Sequence, residues 1–286
     1  MALQSDHPDL MLTIDPSLAA AAYDRSPFAV GHGAHTHPLL TLESLVALAG
    51  THPADAVEHN LGAVPVALPG GEAPRLELEP AQVLAEIAAN GSWLVLKNVE
   101  RDDRYRALLD ELLDEAAGQL PGEEGTALHR EAFIFVSAPG AITPAHVDPE
   151  QNMLLQVRGT KAMHVGRFAD DESRARELER FYAGHHRNLQ TRPVDEETFD
   201  LHPGEGVYVP PNAPHWVQNG DDVSISLSVT WRTRSTGRTG AILAMNHRIR
   251  SAGRRPHAPG VSRPRDAAKV AVHRAMAVGA RVRGRA

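Results

Sequence analysis

The segment Thr143-Pro144-Ala145-His146-Val147-Asp148 places an imidazole and a carboxylate two residues apart. In an extended chain such residues project to one side, so His146 and Asp148 can be aimed at one point. A third donor is offered by Val209-Pro210-Pro211-Asn212-Ala213-Pro214-His215-Trp216, where a strand breaks into a proline-rich turn and a histidine stands at the start of the next strand. Two histidines and one carboxylate on one face of an octahedral ion leave the other positions open, a donor set suited to non-haem iron(II) and its reaction with dioxygen. The chain has no cysteine, which excludes thiolate metal sites, iron–sulfur clusters, disulfides and a cysteine nucleophile. Any metal must therefore be held by histidine and carboxylate. With 16 histidines some His-x-Asp pairs arise by chance. Context singles this one out, because a Gly140–Pro144 turn precedes it and a Pro-Gly-x-Gly-x-x-x-Pro-Pro run, residues 203–211, leads to the second histidine.

The elements that must hold these residues read as short strands. Glu131–Ser137, Asn152–Arg158, Lys161–Arg167 after a turn at Gly159, Gly206–Val209 and Val223–Trp231 are β-type runs, interrupted by a charged, helical insertion at 170–190. Short strands without regularly alternating helices predict a sandwich or barrel and argue against a parallel, doubly wound sheet. No P-loop, dinucleotide-binding glycine fingerprint or internal repeat is found. The first 92 residues read as helix and loop, with helices over 41–49, stopped by Gly50, and over 80–89, and a turn at Pro69-Gly70-Gly71. Trp93–Leu96 suits a buried strand. Tyr105, Leu108, Leu109, Leu112, Leu113 and Ala116 recur at helical spacing and predict an amphipathic helix over 102–118. A further Ala- and Val-rich helix is expected around Ala267–Ala280.

In a chain of 286 residues, 42% hydrophobic and 23% charged residues exclude global disorder. The net charge of −7 is unevenly spread. Residues 232–286 hold 14 Arg and Lys against one acidic residue, Asp266, which leaves −20 on residues 1–231. Packing of this basic tail on the acidic body, of its own chain or of a second subunit, is favoured over nucleic-acid or membrane binding, because no nucleic-acid motif accompanies the charge. MALQSDHPDL lacks a basic stretch followed by an apolar core, and no run approaches the ~20 apolar residues of a membrane helix. A cytoplasmic location without membrane attachment is the expectation.

Thr143–Asp148, its continuation through Gln151-Asn152-Met153-Leu154-Leu155-Gln156-Val157-Arg158-Gly159-Thr160-Lys161, the run Pro203–Pro211, His215 and the closing strand Ser224–Trp231 together resemble the JmjC-type, cupin-like oxygenases that depend on Fe(II) and 2-oxoglutarate. The resemblance covers about residues 93–232. It implies a mainly β fold, a double-stranded β-helix or jelly roll with flanking helices, and three parts: an N-terminal region (1–92) packing on the barrel, a catalytic core (93–232) and a basic, helical C-terminal extension (233–286). It also implies that His146, Asp148 and His215 are the metal ligands and catalytic centre, with 2-oxoglutarate as cosubstrate and O2 as oxidant. Lys161 matches the lysine that pairs with the distal carboxylate of 2-oxoglutarate, Thr143 a hydroxyl on the same group, and Asn152 a polar residue of that pocket. Ser228 stands where the family has an asparagine. The row Ser224, Ser226, Ser228, Thr230 can face inward or outward, and Arg232 is an alternative carboxylate anchor. The implied activity is hydroxylation of a C–H bond in a peptide or protein side chain or a small molecule. The rival reading is a cupin-like metal-binding or regulatory protein that oxidises nothing. A homodimer through the C-terminal helices is expected. His32, His35 and His37 read as turn or surface residues, His185-His186 as exposed, and His164 as a core histidine.

Overall fold

A computed structural model describes residues 11–68, 73–74, 77–122 and 127–283. The N-terminal decapeptide and the Pro69-Gly70-Gly71 turn lie outside the described residues. The N-terminal part contributes β1 (Leu12–Thr13), α1 (Pro16–Ala22), β2 (Phe28–His32), α2 (Leu42–Ala49), β3 (Val57–Leu61), α3 (Pro80–Ala85), β4 (Ser92–Lys97) and α4 (Asp103–Gln119). Then come β5 (Leu128–Ser137), β6 (Ile142–His146), β7 (Gln151–Arg158), β8 (Lys161–Arg167), α5 (Asp171–Tyr182), β9 (Val194–Leu201), β10 (Glu205–Val209), β11 (His215–Asn219) and β12 (Ser224–Arg232). The chain closes with α6 (Arg234–Ser251) and α7 (Arg263–Arg283).

Pairing explains the architecture. β8 pairs with β9, β7 with β10, β6 with β11 and β5 with β12, all antiparallel. The chain is thus one long hairpin, bent where β8 gives way to β9 and coiled so that successive pairs fall alternately in two sheets. The larger sheet has the order β1-β2-β10-β7-β12-β5-β4-β3 and the smaller β6-β11-β8-β9. This is the double-stranded β-helix, with α5 inserted at the bend.

On its strand β12 the larger sheet is polar inside and apolar outside. On β12, Ile225, Leu227, Val229 and Trp231 join Ile134, Val136, Met153 and Leu155 in a cluster with Leu45, Leu84, Leu109, Leu112 and Leu113 of the N-terminal helices. The alternate residues Ser224, Ser226, Ser228 and Thr230 are buried on the barrel side. The period of two fixes this division, because helices cover the outer face and take the apolar set. The open question about the Ser/Thr row is settled as inward. It also explains why β7 is buried at seven successive positions. The turn from β7 to β8 requires Gly159, whose φ of +66° and close approach to the Val223 carbonyl, 2.6 Å from where a Cβ would stand, leave no room for a side chain.

β1, β2 and β3 were not visible as strands in a region read as helix and loop. They are two to five residues long, and Val57-Glu58-His59-Asn60-Leu61 carries no alternation to detect. They extend both edges of the larger sheet. α3 stops at Ala85, four residues short of the helix expected over 80–89. At the C-terminus two helices stand where only one was placed, and Gly237 and Gly240 within α6 obscure its pattern. α6 packs against α5, where Arg250 donates to both oxygens of buried Glu179 at 2.7 and 3.0 Å. No helix among the described residues is long and apolar enough to cross a membrane.

Candidate metal centre

β6 and β11 are neighbours in the smaller sheet, and their register sets His146 directly opposite His215. β6 ends at His146, and Asp148 lies just past it, tied to the proline-rich turn by a 2.7 Å hydrogen bond from the Asn212 N–H to its carbonyl. Asn212 itself takes a left-handed conformation, φ 63°, and its side-chain oxygen accepts from the Tyr182 hydroxyl at 2.8 Å. The strand end and the turn together bring the three donors to one place. Asp148 Oδ2 lies 3.6 Å from His146 Nε2 and 3.5 Å from His215 Nε2. One ion with bonds of about 2.1 Å can span such separations. Among the described residues this is the group of three whose ligand atoms fall within 4.8 Å of one another.

The histidine tautomers follow from their partners. His146 Nδ1 lies 2.7 Å from the Pro144 carbonyl and His215 Nδ1 lies 2.9 Å from the Ala213 carbonyl. A carbonyl only accepts, so each Nδ1 carries a proton and each Nε2 is the ring atom that faces Asp148. Burial, followed by the neighbouring His215, pushes His146 down to about 3, so it is neutral at physiological pH. Burial acts to raise the pKa of Asp148, but His146, His215 and Arg187 outweigh it and hold the carboxyl well below its usual range. The neutral imidazole of His146 and the carboxylate of Asp148 are ready for a cation without losing a proton.

From the three donors a narrow cavity of about 70 Å³ runs into the barrel, lined on its polar side by Thr143, Glu150, Asn152, Lys161, Ser228 and Thr230. Phe133, Phe135, Leu154, Met163 and Val217 supply its apolar wall. β8 carries Lys161 four residues from Val165, the residue paired with His215, which separates the two levels by about 13 Å of strand. Lys161 is 5% exposed and has no ion-pair partner among the described residues. Burial alone brings it down to about 7. The Ser228 hydroxyl donates to Asn152 Oδ1 at 2.7 Å, which leaves the Asn152 amide N–H groups as donors. The sequence candidates Thr143, Asn152, Lys161 and Ser228 therefore line one cavity with His146, Asp148 and His215. Arg232 does not line it, and its guanidinium is engaged by Glu150.

A second cavity, of about 490 Å³, opens on the other side of the donors. Thr143, His146 and Arg187 are common to both walls. Its far side is built by β3 and β4, with Glu58 held by Lys97 at 2.5 Å and by Asn60 at 3.0 Å. Trp93 also lines this cavity, and its buried Nε1 has no hydrogen-bond partner among the described residues.

Two residues of the site escaped sequence reasoning. Glu150 lies two residues beyond Asp148, but the chain bends at Pro149 and Glu150, so strand alternation does not place it. Burial and the charge of Asp148 raise its pKa to about 7 against the opposing effect of Arg232. Arg187 had no signal, because it sits in a charged insertion far along the chain. Of the remaining histidines, His185 is exposed, whereas His186 is half-buried and lines the second cavity. His164 stacks on Trp216 at 3.9 Å and meets Thr198 at 2.9 Å, away from both cavities. His32 is buried and contacts the Glu205 carbonyl at 3.2 Å, and no carboxylate joins it among the described residues.

Residues 126–238 match the JmjC domain family. Jumonji C domain-containing protein 5 of Drosophila melanogaster is 30% identical over 108 residues, which covers 34% of this chain and 26% of that protein. The chain thus spans about a quarter of the length of that relative. Among solved structures, the Escherichia coli ribosomal oxygenase YcfD is similar with a TM-score of 0.53 at 17% identity, over 93% of this chain and 67% of that one. The same protein in complex with cobalt and 2-oxoglutarate gives a TM-score of 0.55 at 17% identity, over 94% and 68%. At this identity the likeness concerns the fold.

Proposed function

Given a chain whose residues 126–238 match the JmjC domain, we propose that the protein is an iron(II)- and 2-oxoglutarate-dependent oxygenase that hydroxylates a C–H bond. The observation that carries this reading is a cavity with three convergent metal donors at one end and, at the other, a buried lysine without a counter-ion among the described residues. A cosubstrate with a carboxylate at each end needs that pairing of a metal with a distant cation. When bound, iron with 2-oxoglutarate supplies the power to take hydrogen from an unactivated C–H bond, with dioxygen consumed and the cosubstrate decarboxylated to succinate.

The chain's own residues hold and shield these partners. His146 and His215 present Nε2 lone pairs because their Nδ1 protons are engaged by backbone carbonyls, and Asp148 supplies the anionic ligand. Lys161 holds the distal carboxylate, and its charge is restored when that carboxylate arrives. The Thr143 hydroxyl, the Asn152 amide and Ser228 complete the polar wall. Phe133, Phe135, Leu154, Met163 and Val217 exclude water, which strengthens each of these interactions.

The larger cavity beside His146 is the side from which substrate approaches. In its wall Glu58 is paired with Lys97, and polar residues such as Asn60, Thr143 and Asn188 stand beside them. Such a wall suits a polar side chain of a peptide or protein, and the −20 charge on residues 1–231 steers cationic partners to it without repelling neutral ones. We assign the C-terminal extension to self-association, because α7 carries exposed Val272, Met276 and Val278 on an otherwise basic helix. The test of the activity is succinate release from 2-oxoglutarate in air with Fe(II), assayed with a panel of peptides. Release that requires Fe(II) and stops with Zn(II) is the expected result. Tight metal binding with no succinate under any condition would support the non-oxidative metal-binding reading instead.

A further inference from the structure

Asp148 uses its two oxygens differently. Oδ2 faces the two histidines at 3.5 and 3.6 Å, whereas Oδ1 accepts from Arg187 Nη1 at 3.2 Å. Arg187 comes from the strap that follows α5, and this strap is not a loose lid. It returns beside β6 with backbone hydrogen bonds from the Val147 N–H to the Arg187 carbonyl, 3.3 Å, and from the Leu189 N–H to the Ala145 carbonyl, 2.7 Å, with a bridge between His146 and Asn188. Leu189 is buried with Ala145, Val147, Leu178 and Trp216. The strap is thus fixed at the backbone, by contacts that do not depend on the side chain at 187.

We propose that Arg187 is a positioning residue: it occupies Asp148 Oδ1, so that the carboxylate offers Oδ2 alone to the metal. The inference rests on the oxygenase reading above and adds a residue to it. A carboxylate free to turn about its last bond presents either oxygen, or both, to an ion. A guanidinium on one oxygen removes that freedom at the cost of a single contact, and partners of this kind that hold a ligand are worth 10–100-fold in metal affinity. Arg187 is also the side chain that, with Thr143 and His146, separates the cosubstrate cavity from the larger one. One ligand oxygen is thereby reserved for the metal, and coordination positions remain open for the cosubstrate and dioxygen.

The test is a titration of the metal-free protein with Co(II) alone, followed by its visible absorption, for wild type, Arg187→Met and His185→Ala. Met keeps the length of the stem and the backbone contacts, and His185 is an exposed neighbour in the same loop. The expected result is a 10–100-fold weaker Co(II) affinity in R187M, an altered cobalt spectrum, and no change in H185A. R187M binding Co(II) within twofold of wild type overturns the proposal, as does H185A losing as much affinity as R187M, which marks a general disturbance of the strap. Should R187M not fold, R187Q is read by the same criteria. A wild-type protein that binds neither Co(II) nor Fe(II) contradicts the oxygenase reading itself, and the proposal with it.

Discussion

Lys161 is the residue whose chemistry is most exposed to test. Burial holds it at about 7 in the unliganded protein, against about 10.4 for a solvated lysine. Between these values the unfolded chain binds the proton that the native state refuses, so this residue makes stability rise with pH from about 7 towards 10. A dicarboxylate at Lys161 favours the charged form and reverses the balance. Binding of 2-oxoglutarate must then take up a proton at pH 8–9, and its affinity must fall as the pH rises above 7. Calorimetry in two buffers of different ionisation enthalpy reads the uptake directly, and binding without proton uptake contradicts the assignment. Lys161→Met should cost about 1.5–3 kcal/mol of 2-oxoglutarate affinity, the worth of a hydrogen bond to a charged group, and leave Co(II) binding intact. At the metal, His146→Ala, Asp148→Ala and His215→Ala should each abolish succinate release, and full turnover in all three would sink the assignment. These residues were legible because the His-x-Asp spacing and the proline-rich turn are local. Arg187 was not, because its ion pair with Asp148 joins positions 39 apart and depends on how the strap returns.

At the scale of elements, most strands of the barrel were legible from their length and turn residues, but β9 was not, and neither was the facing of the others. Alternation on β12 gives two rows, Ser224 to Thr230 and Ile225 to Trp231, and leaves open which one meets water. Here neither does, because the N-terminal helices cover the apolar row and the barrel encloses the polar one. The β7–β8 turn depends on Gly159, and Gly159→Ala adds a left-handed strain and a clash with the Val223 carbonyl. We expect a loss of about 1–3 kcal/mol, read as a lower urea midpoint, together with weaker 2-oxoglutarate binding, because Lys161 begins the strand after that turn. Unchanged stability would show that the turn tolerates a side chain. Tyr182 braces the left-handed Asn212 that ties the proline-rich turn to Asp148. Tyr182→Phe removes one hydrogen bond and should cost about 1 kcal/mol, with a matching fall in metal affinity.

For the molecule as a whole, charge and exposed surface bear on assembly. The basic extension and the acidic remainder were evident from counting, whereas the division of the extension into α6, packed on α5, and α7, largely exposed beyond Val270, needed the fold. A helix exposed on most sides gains little from its own propensity and needs a partner. Light scattering should give the mass of a dimer, and a monomer across a wide concentration range contradicts the assignment. The central claim is that this fold brings one metal and one 2-oxoglutarate together at His146, Asp148 and His215. The most direct test is an anaerobic titration of the metal-free protein with Fe(II) and then 2-oxoglutarate, following the weak visible charge-transfer band of the chelate. A band that forms only with both, and is lost in His215→Ala, is the expected result. Tight binding of Zn(II) or Mn(II) with no band from iron and 2-oxoglutarate would contradict it.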